Sequence, residues 1–168
     1  MMRLRHLLAI LLLPFVVVVV VPMLILTTVG NDSRWEDALL IAWLLRLMGA
    51  VIFIVGLALF SWCVRLFAHV GHGTLAPWDP TQDLVAVGPY RLVRNPMISG
   101  VVLMLFGQAL FWGSWAVGLY ATGVLLINHI YFVLSEEPGL EQRFGESYRA
   151  YKAKVPRWLP RLTALSGK

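Results

Sequence analysis

The sequence predicts an all-α fold: a polytopic membrane helical bundle of about four transmembrane helices, with a cytoplasmic loop and an amphipathic C-terminal helix. Three observations point there. Apolar residues form 59% of the chain and charged residues only 14%, against about 25% charged in soluble proteins. The mean hydropathy is +0.75. Apolar runs long enough to cross a hydrocarbon core of about 30 Å recur along the chain. Its 168 residues suit one domain, read as two spans (1–70), a cytoplasmic loop (71–96), a helical hairpin (97–136) and a cytoplasmic amphipathic tail (137–168).

The first span runs from Leu4 to Val29 and contains "PFVVVVVVPMLIL". Arg3 and Arg5 ahead of it resemble the charged start of a signal peptide. The apolar run exceeds the 7–15 residues of a signal core, and no A-x-A site follows, so it reads as an anchor. Pro14 and Pro22 each remove a backbone donor and predict kinks, which neighbouring helices tolerate in a bundle. The second span, Ala38 to Phe67, is interrupted only by Arg46. The third runs from Met97 to Trp112 and the fourth from Trp115 to Leu134. Between them "WGSW" is short enough to predict a hairpin turn, with tryptophans suited to a membrane interface.

Twelve of the 14 Lys and Arg residues fall on one side of this topology. They are Arg3 and Arg5, then Arg65, Arg91 and Arg94 in the second loop, then seven in the tail after Glu137. The first loop sets one arginine, Arg34, against Asp32, Glu36 and Asp37. The positive-inside rule makes the basic side cytoplasmic, with both termini inside. Topology and anionic lipid thus account for the net charge of +5, and nucleic-acid binding is not needed. Cys63 stands alone, which excludes an internal disulfide and a CxxC metal site. His6, His69, His72 and His129 are scattered, and His69 and His72 have no acidic neighbour in sequence, so no metal site is expected.

Residues with chemical potential cluster after position 70. The connector "GHGTLAPWDPTQDLVAVGPYRLVRNP" holds three glycines and four prolines. It is too irregular for one helix, and structureless connectors of this length are often functional. Arg94-Asn95-Pro96 opens the third span: Asn95 suits an N-cap and Pro96 a first helical position. Free N–H groups there, with Arg94, can also hold a carboxylate. Glu136-Glu137 closes the fourth span, with Pro138 expected to end the helix; acids at a helix C-terminus oppose its dipole. A hairpin brings the start of the third span beside the end of the fourth, so Arg94 should meet Glu136 and Glu137. Asn128, Tyr131 and Ser135 share one face of the fourth span, and His129 shares another with Glu136. Such polar residues face a bundle interior as candidate functional groups or as interhelical hydrogen bonders. Arg46 snorkels or pairs internally. The tail "GLEQRFGESYRAYKAKVPRWLPR" predicts one amphipathic helix, with Leu140, Phe144, Tyr148, Tyr151 and Val155 on its apolar face. It suits the headgroup layer, a lid over the loop, or both.

Two stretches, "GTLAPWDPTQDLVAVGPYRLVRNPMISG" and "SEEPGLEQRFGESYRAYKAKVPRWLP", resemble the isoprenylcysteine carboxyl methyltransferase family and its phospholipid methyltransferase relatives, most closely the small bacterial members. The resemblance covers roughly Gly73 to Pro160. The family pattern, approximately R-H-P-x-Y-x-G, an apolar hairpin and then E-E, stands here as Arg94-Asn95-Pro96-Met97-Ile98-Ser99-Gly100 and Glu136-Glu137.

The resemblance implies S-adenosylmethionine as cofactor and methyl transfer to a lipid or lipid-modified substrate at the cytoplasmic face of a membrane, here the bacterial inner membrane. Carried over, the cofactor site comprises Tyr90, Arg94, Asn95, Pro96, Gly100, His129, Glu136 and Glu137. Arg94 and Glu136 are the catalytic candidates, and no metal is involved. Arg94 would take the cofactor carboxylate, and Glu136 or Glu137 its ammonium or ribose hydroxyls. Asn95 replaces the family histidine and cannot titrate at neutral pH, which moves any base role elsewhere, His129 being one place. Ile98 replaces the tyrosine, leaving aromatic contact to Tyr90, Trp78 or Tyr131. A carboxylate acceptor would want a cation such as Arg46, Lys154 or Arg157, whereas an amine would want a carboxylate or aromatic cage. The alternatives are an NADPH-dependent membrane reductase on a related scaffold, which the acidic pair disfavours, and a non-catalytic membrane scaffold.

Overall fold

A computed structural model describes residues 12–29, 39–70, 84 and 86–160, without the side chains of 39 and 67–70. Arg3, Arg5, the charges of the first loop, the side chain of His69, His72, Trp78, Arg161 and Lys168 lie outside the described residues. Among those described, the secondary structure is helical, with no strand. Helix α1 is Leu12–Val29, α2 Leu39–Val70, α3 Pro96–Trp112, α4 Trp115–Tyr131, α5 Glu137–Phe144 and α6 Glu146–Lys154. A short 3-10 turn, Gly88–Arg91, precedes α3. Among the described residues, three stretches are long and apolar enough to cross a membrane: Leu12–Val29, Leu40–Leu66 and Trp115–Phe144. The 17 residues of α3 rise about 26 Å, the short end of what a span needs. Exposed Leu40, Trp43, Leu47, Leu119, Leu126 and Ile130 give α2 and α4 apolar outer faces suited to lipid.

The chain divides into two compact units, Met1–Ala58 with Gly100–Leu126, and Leu59–Ser99 with Ile127–Lys168. In the first, glycines let α2 and α3 approach backbone to backbone. A Cβ on Gly56 would lie 2.6 Å from the Gly100 carbonyl oxygen, and one on Gly107 would lie 2.8 Å from that of Gly49. Each helix carries its pair seven residues apart, and the pairs match in opposite order, as antiparallel helices require. Small residues at such a seam admit the close packing that holds membrane helices together.

Proline effects in α1 are resolved by its neighbours. Pro22 has no N–H, so the carbonyls that would have received it are orphaned. A π-helical turn at Val16–Val20 leads into it. The Gln108 amide of α3 donates to the Val18 carbonyl at 2.8 Å, and the Tyr120 hydroxyl of α4 donates to that of Val17 at 3.1 Å. The α3–α4 turn is compact: Gly113 takes φ 65°, and the Ser114 hydroxyl accepts from the Val117 N–H at 3.4 Å. Arg46 lies over the Trp43 ring, 5.8 Å from its centre.

The second unit departs from expectation in two places. Pro138 does not end the fourth span. Helix α4 passes through a π-helical turn, Phe132–Glu136, straight into α5. The wider turn, closed by the Glu137 N–H on the Phe132 carbonyl, relieves the clash of a proline ring with the preceding turn. The acidic pair therefore stands within a continuous helix and not at its C-terminus. The tail is not one helix either: Gly145, at φ 53°, separates α5 from α6, so the expected single apolar stripe is split.

Gly107→Ala should lower stability by about 1–3 kcal/mol, since its methyl group meets backbone that cannot move aside. Gly123→Ala, whose Cβ meets nothing within 4 Å, should be neutral or gain up to about 1 kcal/mol. Thermal unfolding of the two variants in detergent compares them directly.

Candidate functional site

The 3-10 turn before α3 is set by Gly88, which takes φ 56°. A Cβ there would come within 2.9 Å of Leu66. The turn drives Pro89 and Tyr90 inward. Tyr90 packs in a cluster with Cys63, Leu59, Leu66 and Met97, its phenol hydrogen-bonded with the Cys63 thiol. Burial, then Cys63, raises the Tyr90 phenol above its ordinary value, so it stays protonated. The Tyr151 hydroxyl donates to the Tyr90 carbonyl at 2.6 Å, tying α6 to this turn.

Arg94 leaves the turn directly ahead of α3. Its backbone N–H donates to the Pro156 carbonyl at 2.9 Å, so that donor is not free for an anion. The Asn95 carbonyl accepts from the Ser99 N–H at 3.0 Å and from the Ser99 hydroxyl at 3.0 Å, closing the first turn. Pro96 is buried as the first residue of α3.

Glu137 is the centre of the site. Its side chain is 8% exposed, and three cations surround it. Arg94 Nη1 lies 3.0 Å from Oε1, Arg157 Nε donates to Oε1 at 2.7 Å, and Lys152 Nζ lies 3.2 Å from Oε2. A carboxylate at this depth is tolerable only with such compensation. The three cations come from the start of α3, from α6 and from the segment after α6. Sequence reading paired Arg94 with the acids. It missed Lys152 and offered Arg157 to an acceptor, where the structure gives it to Glu137. The signal available in the sequence was the demand of any membrane-helix carboxylate for several cations.

Glu136 is its opposite. It is half-buried, and among the described residues it has no ion pair. Its charge is felt by Tyr90 and Tyr148. Tyr148 is 2% exposed and hydrogen-bonds with Arg94. Burial, then the Glu137 carboxylate, raises its phenol against the pull of Arg94. Among the described residues, the buried Arg94 Nε and Nη1 make no aligned hydrogen bond, Nη1 keeping its ion pair to Glu137.

His129 accepts at Nδ1 from the Trp158 indole N–H at 3.0 Å. A neutral imidazole held this way carries its proton on Nε2. It therefore presents a donor, which does not suit the base role considered for it. Gly100 belongs to the first unit, where its backbone carbonyl packs against Gly56. Tyr131 is 51% exposed, against Phe132. An open cavity of about 370 Å³ is lined by Val133, Glu137, Pro138, Glu141, Gln142, Arg149 and Lys152. Its rim charges pair with one another, Arg149 with Glu141 at 2.8 Å and Lys152 with Glu141 at 3.9 Å.

A Haemophilus influenzae protein described only as uncharacterized is 35% identical to this chain over 63 residues, 38% of this chain and all of the relative. The family model for phospholipid methyltransferases matches residues 44–147. That stretch takes in most of α2, the Arg94 turn, the α3–α4 hairpin and the acidic pair on its unbroken helix. Well over half of the chain thus follows one family pattern, and the protein belongs to the phospholipid methyltransferase family.

Proposed function

We propose that the protein transfers a methyl group from S-adenosylmethionine to a lipid-linked or small hydrophobic acceptor bearing a carboxylate, thiol or amine. The reaction takes place at the cytoplasmic face of the bacterial inner membrane, with both termini inside. Family membership supports methyl transfer, and the charge asymmetry of the sequence supports the orientation.

One observation carries the cofactor reading. Arg94 holds two buried donor nitrogens, Nε and Nη1, that make no aligned hydrogen bond among the described residues, Nη1 keeping only its ion pair to Glu137, in the same unit as Glu136, a half-buried carboxylate without an ion pair among the described residues. Buried donors without partners are costly, and a carboxylate ligand would satisfy them with charge-assisted hydrogen bonds. A ligand ammonium or its hydroxyls would satisfy Glu136. The residues therefore fit a cofactor that carries a carboxylate, an ammonium and ribose hydroxyls. When bound, S-adenosylmethionine supplies an activated methyl group for in-line displacement, where holding reactants aligned contributes up to ~7–11 kcal/mol. Arg94 and Glu136 bind and orient, and they are the catalytic residues of this reading. Tyr90, Asn95 and Pro96 shape the turn that presents Arg94, and His129 offers its Nε2–H. Gly100 contributes through the packing of α3. Glu137 does not contact the ligand directly; it holds Arg94 in place.

Calorimetric titration with S-adenosylhomocysteine tests this. Arg94→Ala should weaken binding by about tenfold to a hundredfold, as expected for a lost charged hydrogen bond of about 1.5–3 kcal/mol. Glu136→Gln should weaken it by about tenfold while leaving the unfolding temperature close to that of the parent. Unchanged affinity in both variants would sink the assignment. Glu137→Gln should act on stability instead, on the order of 3–5 kcal/mol, because it leaves buried Arg94 uncompensated. Thermal unfolding in detergent reads that difference. Labelled donor incubated with membrane extract then identifies the acceptor.

A further inference from the structure

Three consecutive residues after α6 each engage a different site residue. The Pro156 carbonyl accepts from the Arg94 N–H at 2.9 Å, Arg157 Nε donates to Glu137 Oε1 at 2.7 Å, and Trp158 Nε1 donates to His129 Nδ1 at 3.0 Å. Val155, 1% exposed, anchors the strap from one side. The Trp158 ring rests against Phe132 with centres 5.8 Å apart.

The chemistry of each contact is directional. An indole N–H only donates, so the nitrogen that it meets must lack a proton, and the neutral imidazole keeps its proton on Nε2. Without that donor the two tautomers exchange and the ring is freer to turn. Arg157 takes the same glutamate oxygen that Arg94 Nη1 approaches at 3.0 Å. Arg94 is left with an ion pair to Glu137 but no aligned hydrogen bond from Nη1 or Nε. The strap thus shares the Glu137 oxygen with Arg94, whose Nε and Nη1 make no aligned hydrogen bond among the described residues.

We propose that Arg157 and Trp158 are positioning residues for the methyl-donor site: Trp158 fixes the His129 tautomer and ring orientation, and Arg157 holds Glu137 so that Arg94 keeps its donors for a ligand carboxylate. The proposal rests on the methyl-donor reading of Arg94. Neither residue touches the ligand in it; each acts through another side chain.

The test uses the full-length protein in detergent micelles, with the variants Trp158→Phe and Arg157→Lys. Trp158→Phe keeps an aromatic ring against Phe132 and removes only the N–H donor. Side-chain ¹⁵N spectra of histidine, taken without ligand, report the tautomer, and His129→Gln assigns the signal. The parent should show His129 protonated on Nε2 alone, and Trp158→Phe should show a mixture of tautomers. Titration with S-adenosylhomocysteine should then show affinity reduced about tenfold in Trp158→Phe, as for one lost hydrogen bond. Arg157→Lys keeps the charge without the planar fork and should lose about threefold to tenfold. A single unchanged tautomer in Trp158→Phe overturns the role of Trp158, and unchanged affinity in Arg157→Lys overturns that of Arg157. If the parent itself does not bind S-adenosylhomocysteine, the methyl-donor reading fails and the strap has no such site to serve. The ligand-free spectra still decide separately whether Trp158 sets the tautomer.

Discussion

A carboxylate that is 8% exposed on a membrane-spanning helix must be neutralised where it stands, and Glu137 recruits Arg94, Lys152 and Arg157 to do it. Each cation lies on a different segment, so one desolvated charge ties together the turn before α3, helix α6 and the strap after it. Removing water from ionised groups is expensive, and only close, multiple pairing compensates for it. The same accounting explains why the second unit is organised around charge while the first is organised around glycine contacts. Three cations around one carboxylate also leave positive charge in excess. That excess makes an anionic ligand group welcome there.

Backbone geometry decides which acid becomes the centre. The π-helical turn at Phe132–Glu136 carries an extra residue, which rotates the helix beyond it by about 100° relative to a regular helix. Adjacent glutamates already point about 100° apart on a helix, and the wide turn sets where that pair is aimed. Glu137 lands among the cations, and Glu136 is left half-buried without an ion pair among the described residues. Pro138 is the local reason that the turn is wide. Pro22 plays a related part in α1, where the orphaned carbonyls of Val17 and Val18 are taken up by Tyr120 and Gln108.

Much of this was legible in the residues. Apolar run lengths and the "WGSW" link gave the helices and their hairpin, and the hairpin implied that Arg94 meets the acidic pair. Hydrophobic spacing placed Tyr148 and Val155 on the apolar face of the tail, and both are buried. Other features depend on backbone choices that the sequence leaves open. Glycine at 145 permits a helix interior or a left-handed break, and the chain takes the break. Proline at 138 permits a helix end or a widened turn, and it takes the turn. The Gly49, Gly56, Gly100 and Gly107 spacing was present in the sequence. It acquires meaning only when two helices are seen to run antiparallel with those residues opposed.

Sequence alone determined the solvent that this chain is built for, the number and order of its apolar helices, and the proximity of Arg94 to Glu136-Glu137. Those features come from hydropathy, helix rise and the shortness of one turn, all local properties. Tertiary structure decided the pairing: Glu137 among three cations, Glu136 without an ion pair among the described residues, and His129 accepting from Trp158. Those outcomes depend on which long-range cation or donor the fold places against each group. In a desolvated site the pairing that forms determines what every other charge is free to do.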